Sequence, residues 1–162
     1  MGLNEKHDSL NFPATHYVYI EKVGPFQDTA PKAWQELLPL KEMIAIENQI
    51  TGAFAMYKVE EQIYRAGFSI SAPPAGKLPG AIGYTHFEGG PYIRFVLMGS
   101  YMQLPKACGR VFEIVKKEAL EITAGNFYLE NYCNDPHTTL EDQLRTEILV
   151  PTTAAHVSSS AT

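Results

Sequence analysis

The sequence predicts an α+β protein built from two strand–helix–strand–strand units, with pseudo-two-fold symmetry and antiparallel sheets that flank a central cleft. The main observation is an ungapped repeat, in which residues 14–26 align with residues 89–101 at an offset of 75. Just downstream, residues 31–33 match residues 105–107 at an offset of 74. An offset that is kept through a strand, a turn and a helix start indicates two copies of one unit. A seam between two like units is a common location for a pocket.

The first unit begins with a strand. Residues 17–23 are rich in β-branched and aromatic side chains, which favour a strand, and a Gly-Pro pair ends it. A helix is then predicted to start with Asp28 or Thr29 as its N-cap and with Pro31 in its first turn. Pro39 is predicted to kink or end this helix. The two strands that complete the unit are predicted over residues 53–59 and 63–71.

The second unit repeats this order. A strand is predicted over residues 92–98 and a helix over residues 104–119, with two closing strands at 126–133 and 144–150. In the closing strands Phe54 matches Phe127 at an offset of 73, while residues 70–73 match 148–151 at an offset of 78. These offsets predict that the second hairpin loop is longer by 5 residues. An Asn-Asp-Pro run at 134–136 supplies turn chemistry for it.

The rest of the chain links or extends the two units. Residues 73–80 are rich in proline and glycine and predict a solvated connector, followed by an ambiguous extended segment at 81–87. We therefore predict one domain over residues 12–152, with repeat units at about 12–73 and 88–151. Residues 1–11 and 153–162 are predicted to be flexible tails.

Composition excludes several classes of protein. The chain of 162 residues has 45% hydrophobic and 19% charged residues, which is ordinary for a globular protein. Its net charge of −5 and its lack of a Lys/Arg cluster argue against nucleic-acid binding. It has neither a secretory signal nor an apolar run of membrane-spanning length, so no membrane partner and a cytoplasmic location are expected. The histidines and the two cysteines lack ligand spacing, which predicts no metal and no cofactor.

Several motifs resemble the GyrI-like small-molecule-binding domains, which also form the effector-binding halves of MerR-type and AraC-type multidrug regulators. One motif is a Gly-Pro-aromatic turn before an Ala-Trp helix, at residues 24–26 and 33–34, and its turn recurs at 99–101. The most specific motif is the ending: residues 129–136 resemble the family's aromatic-Glu-x-Tyr-x-Asn-Asp-Pro run, followed by a Leu-Arg strand that ends in Val-Pro. Leu129 and Ser100 depart from the family pattern, and the first half lacks the Asp-Pro loop.

The resemblance covers roughly residues 12 to 152. It implies two strand–helix–strand–strand units around a hydrophobic pocket with an acidic floor. No DNA-binding segment precedes the motifs, so the chain resembles a standalone member rather than a transcription factor.

Alternation along one strand gives the best candidate site. In a strand over residues 126–133, Tyr128, Glu130 and Tyr132 share a face. Aromatic rings attract cations and an ionised carboxylate supplies the counter-charge, whereas apolar surroundings raise the pKa of the acid. The alternative is a solvated strand face with Glu130 as an ordinary surface acid. The family resemblance favours the pocket.

Four further aromatic residues are weaker candidates. At an offset of 73, Tyr57 corresponds to Glu130, and it is either a pocket wall or a core residue. Trp34 is the only tryptophan and lies on an apolar helix face, so it belongs either to the core or to a pocket edge. Tyr92 and Phe95 are candidates for ligand contact that fit a sheet core better. Cys108 has no partner histidine in the sequence and fits a small buried residue.

Two functions are consistent with these residues. The first is binding of small amphipathic aromatic molecules, including cations, in a cleft between the repeats, with Glu130 and the surrounding aromatics as contacts. The second is hydrolysis of reactive electrophiles such as cyclopropane-type alkylators, with Glu130 as general base and a pocket tyrosine, Tyr132 first, as donor. A protein partner is a third possibility that no apolar helix face supports.

Overall fold

The computed structural model describes residues 1–153 and confirms the α+β class and the two strand–helix–strand–strand units. Residues 154–162, where most of the predicted C-terminal tail falls, lie outside the described residues. No helix within the described part is long and apolar enough to cross a lipid bilayer. The strands are β1 (Leu3–Phe12), β2 (Thr15–Val23), β3 (Ile50–Lys58), β4 (Ile63–Ile70), β5 (Gly83–Phe87), β6 (Gly90–Met98), β7 (Tyr128–Tyr132) and β8 (Arg145–Pro151). The α-helices are α1 (Phe26–Leu37), α2 (Lys41–Glu47) and α3 (Leu104–Lys117).

Residues 13–89 form one compact unit, called the central unit here. Its antiparallel strands follow the order β3-β4-β2-β5, and α1 packs against β2 and β4. The ambiguous segment predicted over residues 81–87 is strand β5, which pairs with β2 from Gly83 to Phe87. The largest fully buried side chains of this unit include Tyr17, Phe54 and Phe68. Burial of these rings supplies the main stabilisation of the unit.

Residues 1–12 and 90–153 form the second compact unit, called the outer unit. Its strands are also antiparallel and follow the order β1-β6-β8-β7. Helix α3 buries an apolar stripe on this sheet, as its 3.6-residue periodicity predicts. The buried cluster consists of Ile93, Phe95, Leu97, Ala107, Val111, Ile114, Val115, Ile148 and Val150.

The prediction of a flexible N-terminal tail was wrong for this unit, because residues 3–12 form strand β1. The segment is polar and has little β propensity, so local sequence gives no strand signal. Its partners come from distant positions: β1 pairs with β6, Glu5 bonds Arg110 and Asp8 bonds Arg94. Tertiary pairing therefore decides the structure of β1.

Each unit makes the same turn between its first repeated strand and its helix. Gly24 and Gly99 have φ angles of +138° and +110°, a region that side chains rarely adopt. This requirement explains why glycine recurs at an offset of 75. Helix α1 then begins at Phe26 with Pro25 as its N-cap, three or four residues earlier than predicted, because Pro25 already holds the φ that a helix start needs. Thr29 is not a cap: its hydroxyl donates to the carbonyls of Gly24 and Pro25.

The strand register within each unit corrects the alignment of the closing hairpins. In the central unit Ile20 pairs with Ala66, which pairs with Ala55. In the outer unit Phe95 pairs with Ile148, which pairs with Glu130. Because Ile20 and Phe95 are 75 residues apart, the counterpart of Glu130 is Ala55 and not Tyr57.

The same register shifts Tyr57 to a new counterpart. Tyr57 corresponds to Tyr132, and the ring contacts agree: Phe26 meets Tyr57 edge-on at 5.5 Å, and Tyr101 meets Tyr132 edge-on at 5.4 Å. Tyr57 pairs with residue 64 and Tyr132 with residue 146, so the second hairpin is longer by 7 residues rather than by 5. The offset of 73 relates Phe54 to Phe127. Their backbone carbonyls accept equivalent hydrogen bonds, from the Tyr17 hydroxyl and the Tyr92 hydroxyl.

Candidate functional site

Strand β7 presents a polar and aromatic face to helix α3. Residues paired across an antiparallel sheet lie on the same face, so Glu130 shares its face with Ile148 and Phe95, which belong to the core under α3. Alternation places Tyr128 and Tyr132 on this face too. The structure therefore brings three of the predicted site residues together on the helix side of the outer unit's sheet.

The Glu130 carboxylate is held by two neutral donors. The Tyr132 hydroxyl donates to Oε1 at 3.0 Å, and the Cys108 thiol donates to Oε2 at 3.4 Å. Glu130 as a residue is half-buried, and its carboxyl group is the part that burial desolvates. None of the ion pairs among residues 1–153 includes Glu130. The carboxylate thus has hydrogen-bond partners and no counter-charge.

Burial raises the pKa of Glu130 above its ordinary value, because desolvation penalises the ionised form. The hydrogen bonds from Tyr132 and Cys108 stabilise the carboxylate and offset part of this shift. A cation placed beside Glu130 would remove the rest of the penalty. This arrangement favours either cation binding or proton transfer.

Two buried hydroxyls without partners flank Tyr132. Within the described residues, the buried side-chain polar atoms that lack a hydrogen bond are Tyr101 Oη and Thr146 Oγ1. Thr146 is fully buried and lies opposite Tyr132 in the strand pair β7–β8. The Tyr101 ring packs edge-on against the Tyr132 ring. Buried hydroxyls are almost always paired, so this pattern is typical of a place that accepts water or a polar ligand group.

Tyr101 also lines an open depression of about 330 Å³. Apolar groups from Met102, Pro136 and Leu144 contribute to its wall, and Met102 is 89% exposed. Glu130 does not line this depression. Tyr101 is the residue shared between it and the aromatic face around Glu130.

Tyr128 closes the other end of the face. Its ring meets Phe112 of α3 edge-on at 5.5 Å and packs against the core of the outer unit. Both rings remain partly exposed. They supply apolar surface beside the acid.

Two of the predicted residues belong to the central unit, where they form an aromatic cluster. The Trp34 indole donates to the Tyr64 hydroxyl at 2.7 Å, and its ring lies edge-on to Phe68. Tyr57 is only 4% exposed and packs between Phe26 and Tyr64. Trp34 is partly exposed, so of the two it has more surface available to a ligand.

The remaining two predicted residues lie in the core. Phe95 is fully buried under α3. Tyr92 is 3% exposed, its hydroxyl donates to the Phe127 carbonyl at 2.9 Å, and burial raises its pKa. Both positions fit the sheet-core alternative that the sequence left open.

Sequence reasoning missed the contact between Cys108 and Glu130. Cys108 occupies the position of Trp34 in the repeat at an offset of 74, and each of these residues points from its helix toward a polar side chain of its own sheet. The repeat offset was thus the available signal. Thr146 gave no signal, because only the register shows that it lies beside Tyr132.

Comparison with known proteins assigns the family. The model of the GyrI-like small molecule binding domain matches residues 7–153. The chain therefore belongs to the GyrI-like family, and the expected resemblance is confirmed. No curated protein matches the chain.

Solved structures share the fold at low sequence identity. The EcmrR C-terminal domain has a TM-score of 0.71 at 16% identity, and the match covers 90% of this chain and 96% of that one. SAV2435 bound to tetraphenylphosphonium has a TM-score of 0.69 at 12% identity, with 93% and 95% covered. A hydrolase from Listeria innocua has a TM-score of 0.57 at 11% identity, with 90% and 91% covered. The chain is thus a small-molecule-binding domain by family.

Proposed function

We propose that this protein binds small amphipathic aromatic cations at Glu130, with Tyr128 and Tyr132 as aromatic contacts. The observation that carries the proposal is a desolvated carboxylate with two neutral donors and no ion-pair partner in residues 1–153. A buried charge without a counter-ion is costly, and a ligand cation supplies that counter-ion. The solved structure of SAV2435 contains a ligand of this chemistry, the tetraphenylphosphonium cation.

The aromatic and apolar surface around the acid would supply most of the affinity. Burial of apolar area contributes about 25 cal/mol per Å², so a ligand that loses about 200 Å² gains roughly 5 kcal/mol. Cation–π contact with a tyrosine face adds about 1 kcal/mol at an exposed site and about 2 kcal/mol when it is desolvated. The charge of Glu130 then determines which aromatic ligands are preferred.

Titration calorimetry with tetraphenylphosphonium tests this proposal, with its isosteric anion tetraphenylborate as the charge control. We expect the wild type to prefer the cation, and Glu130→Gln to weaken cation binding at least about tenfold, which corresponds to 1.4 kcal/mol. Glu113→Gln is the matched control, because Glu113 is an exposed acid of α3 outside the site. Equal cation affinity in wild type and Glu130→Gln would refute the proposal.

Hydrolysis of reactive electrophiles is the second candidate, and the unpartnered hydroxyls favour it specifically. Glu130 with a raised pKa suits a general base acting on water. The Tyr132 proton is already donated to Glu130, so Tyr101, whose hydroxyl has no acceptor, is a better candidate to donate to a developing oxyanion. Turnover of a cyclopropane-type electrophile that is lost in Glu130→Gln, while ligand binding persists, would support hydrolysis. Absence of turnover across a panel of such compounds would refute hydrolysis and leave ligand binding as the function.

A further inference from the structure

The thiol of Cys108 lies in direct contact with the acid of the proposed binding site. Cys108 is in the second turn of α3, is half-buried, and its Sγ is 3.4 Å from Glu130 Oε2. Any ligand group seated on Glu130 is therefore within a few ångströms of a nucleophile. Reversible binding makes no use of this thiol.

We propose that Cys108 captures α,β-unsaturated carbonyl compounds covalently, with Glu130 as the base that takes the thiol proton. The proposal rests on the proposed function, because it needs the electrophile to be held beside Glu130. It extends that function from reversible binding to scavenging of soft electrophiles. The sequence shows the same feature, since a cysteine stands where the other repeat has Trp34.

The reaction balances without a further reagent. As the Cys108 Sγ–H bond breaks, its proton moves to Glu130 and sulfur forms a bond to the β-carbon of the ligand. The electron pair of the carbon–carbon double bond moves toward the carbonyl oxygen and gives an enolate. Glu130 then returns the proton to the α-carbon, so the product is a saturated thioether and the carboxylate is regenerated. No oxidant is needed and no leaving group is released.

Independent of the thiol, the orphan hydroxyl of Thr146 indicates a polar occupant. Thr146 is fully buried, and it lies on the same sheet face as Glu130, directly opposite Tyr132. A carbonyl oxygen that becomes an enolate is an acceptor of the kind that an unpartnered hydroxyl donor requires. The Tyr101 hydroxyl, also without a partner and packed against Tyr132, is a second donor nearby.

The state of the neighbouring carboxylate distinguishes Cys108 from the other cysteine. Cys133 is the more exposed thiol, and it donates to the Asn131 carbonyl and also interacts with the Glu147 carboxylate. Glu147 is ion-paired with Arg94 and Arg145, whereas Glu130 has no ion-pair partner among the described residues. Burial also raises the pKa of the Cys133 thiol above its ordinary value. If access alone governed the reaction, Cys133 would react first. General-base catalysis, which contributes typically about 10²–10⁴ in rate, would reverse that order.

Labelling kinetics with N-ethylmaleimide, an α,β-unsaturated dicarbonyl probe, test the proposal by mass spectrometry of intact protein and of peptides. In the wild type we expect Cys108 to react at least about tenfold faster than Cys133. In Glu130→Gln the rate at Cys108 is expected to fall at least about tenfold while Cys133 is unchanged. Glu130→Asp keeps a base and should retain part of the advantage. Cys108→Ser and Cys133→Ser assign the two rates.

Two results would overturn covalent capture: faster labelling of Cys133 than of Cys108, or an unchanged Cys108 rate in Glu130→Gln that is folded by circular dichroism. Tetraphenylphosphonium separates this failure from failure of the binding proposal. If bound tetraphenylphosphonium slows labelling at Cys108, but Cys108 reacts no faster than Cys133, covalent capture is refuted and the binding proposal stands. If tetraphenylphosphonium neither binds nor protects, the binding proposal is refuted, and the Cys108 rate and its dependence on Glu130 decide covalent capture separately.

Discussion

Glu130 combines features that rarely occur together: it is desolvated, its hydrogen-bond donors are both neutral, and part of it remains accessible. Two acids on the neighbouring strands β1 and β8 have a charged partner instead. Asp8 and Glu147 both contact Arg94, which lowers the pKa of Asp8 below its ordinary value. The outer unit thus neutralises those carboxylates with its own arginine and leaves Glu130 for an external partner.

Replacement of Glu130 by glutamine is expected to change how stability depends on pH. Because the folded pKa of Glu130 is raised, the unfolded chain releases this proton first as pH increases above about 4.5. The ionised acid therefore costs the folded wild type stability as pH rises toward neutrality. Denaturant unfolding should show that Glu130→Gln gains stability relative to wild type between pH 4 and pH 7. A difference that is constant with pH would contradict the raised pKa.

Removal of the Tyr132 hydroxyl is expected to act through Glu130. Tyr132→Phe deletes the hydrogen bond that lowers the pKa of the acid, so that pKa rises further. Within the pH range where Glu130 titrates, a larger fraction of the acid is then protonated, so tetraphenylphosphonium should bind more weakly at the lower of two pH values, with recovery at the higher one. Calorimetry at two pH values measures this effect. A loss of affinity that is identical at both pH values would instead indicate a role of the hydroxyl in direct contact.

At the scale of elements, the sequence predicts those whose signal is local. The sequence predicts β2 from its β-branched and aromatic content, and it predicts β3 and β4 as the strands that complete the first unit. It predicts β6, α3, β7 and β8 because the second unit repeats the order of the first. The start of α1 was misplaced because Pro25 and the turn at Gly24 begin the helix earlier than the polar residues suggest. Strand β1 could not be found, because its partners, Arg94 and Arg110, are about 85 to 105 residues away.

Deletion of residues 1–12 is expected to destabilise the outer unit, since β1 pairs along β6 and Leu3 packs against the core. We expect a loss of about 2 kcal/mol or more, which lowers the Tm by roughly 4–8 °C for a chain of this size. Differential scanning calorimetry measures the shift. Lys6→Ala, an exposed substitution in the same strand, is the control and should change the Tm by less than about 2 °C. An unchanged Tm after the deletion would support the flexible tail predicted from sequence.

At the scale of the whole molecule, the duplication of the unit is visible in the sequence. The differences between the two copies become clear only from the strand pairing, which shows which residues are equivalent. The repeated glycines, tyrosines and ring pairs keep an offset of 75, so the two units share one design. The acid is the exception, because Ala55 stands where the outer unit has Glu130. Sequence alone predicted Glu130, Tyr128 and Tyr132 correctly as neighbours on one face. It could not predict the contacts to α3, because those depend on how the helix packs.

An acid placed at the counterpart position is expected to harm the central unit. Ala55 is fully buried, and Ala55→Glu would desolvate a carboxylate without a prepared partner. We expect a loss of about 3 kcal/mol or more in the free energy of unfolding, measured with denaturant. Ala72→Glu, at an exposed position just after β4, is the matched control and should be nearly neutral. Equal stability of the two variants would show that the central unit tolerates an acid at this position.

The central claim is that Glu130 is a desolvated acid whose missing counter-charge is a ligand cation. Carbon-13 NMR of the Glu130 carboxyl group, titrated with pH in the absence and presence of tetraphenylphosphonium, tests it most directly, with Glu130→Gln to assign the resonance. The account predicts a pKa above the ordinary 4.5 in the free protein and a decrease when the cation binds. An ordinary pKa in the free protein, or one that the bound cation leaves unchanged, would contradict the claim.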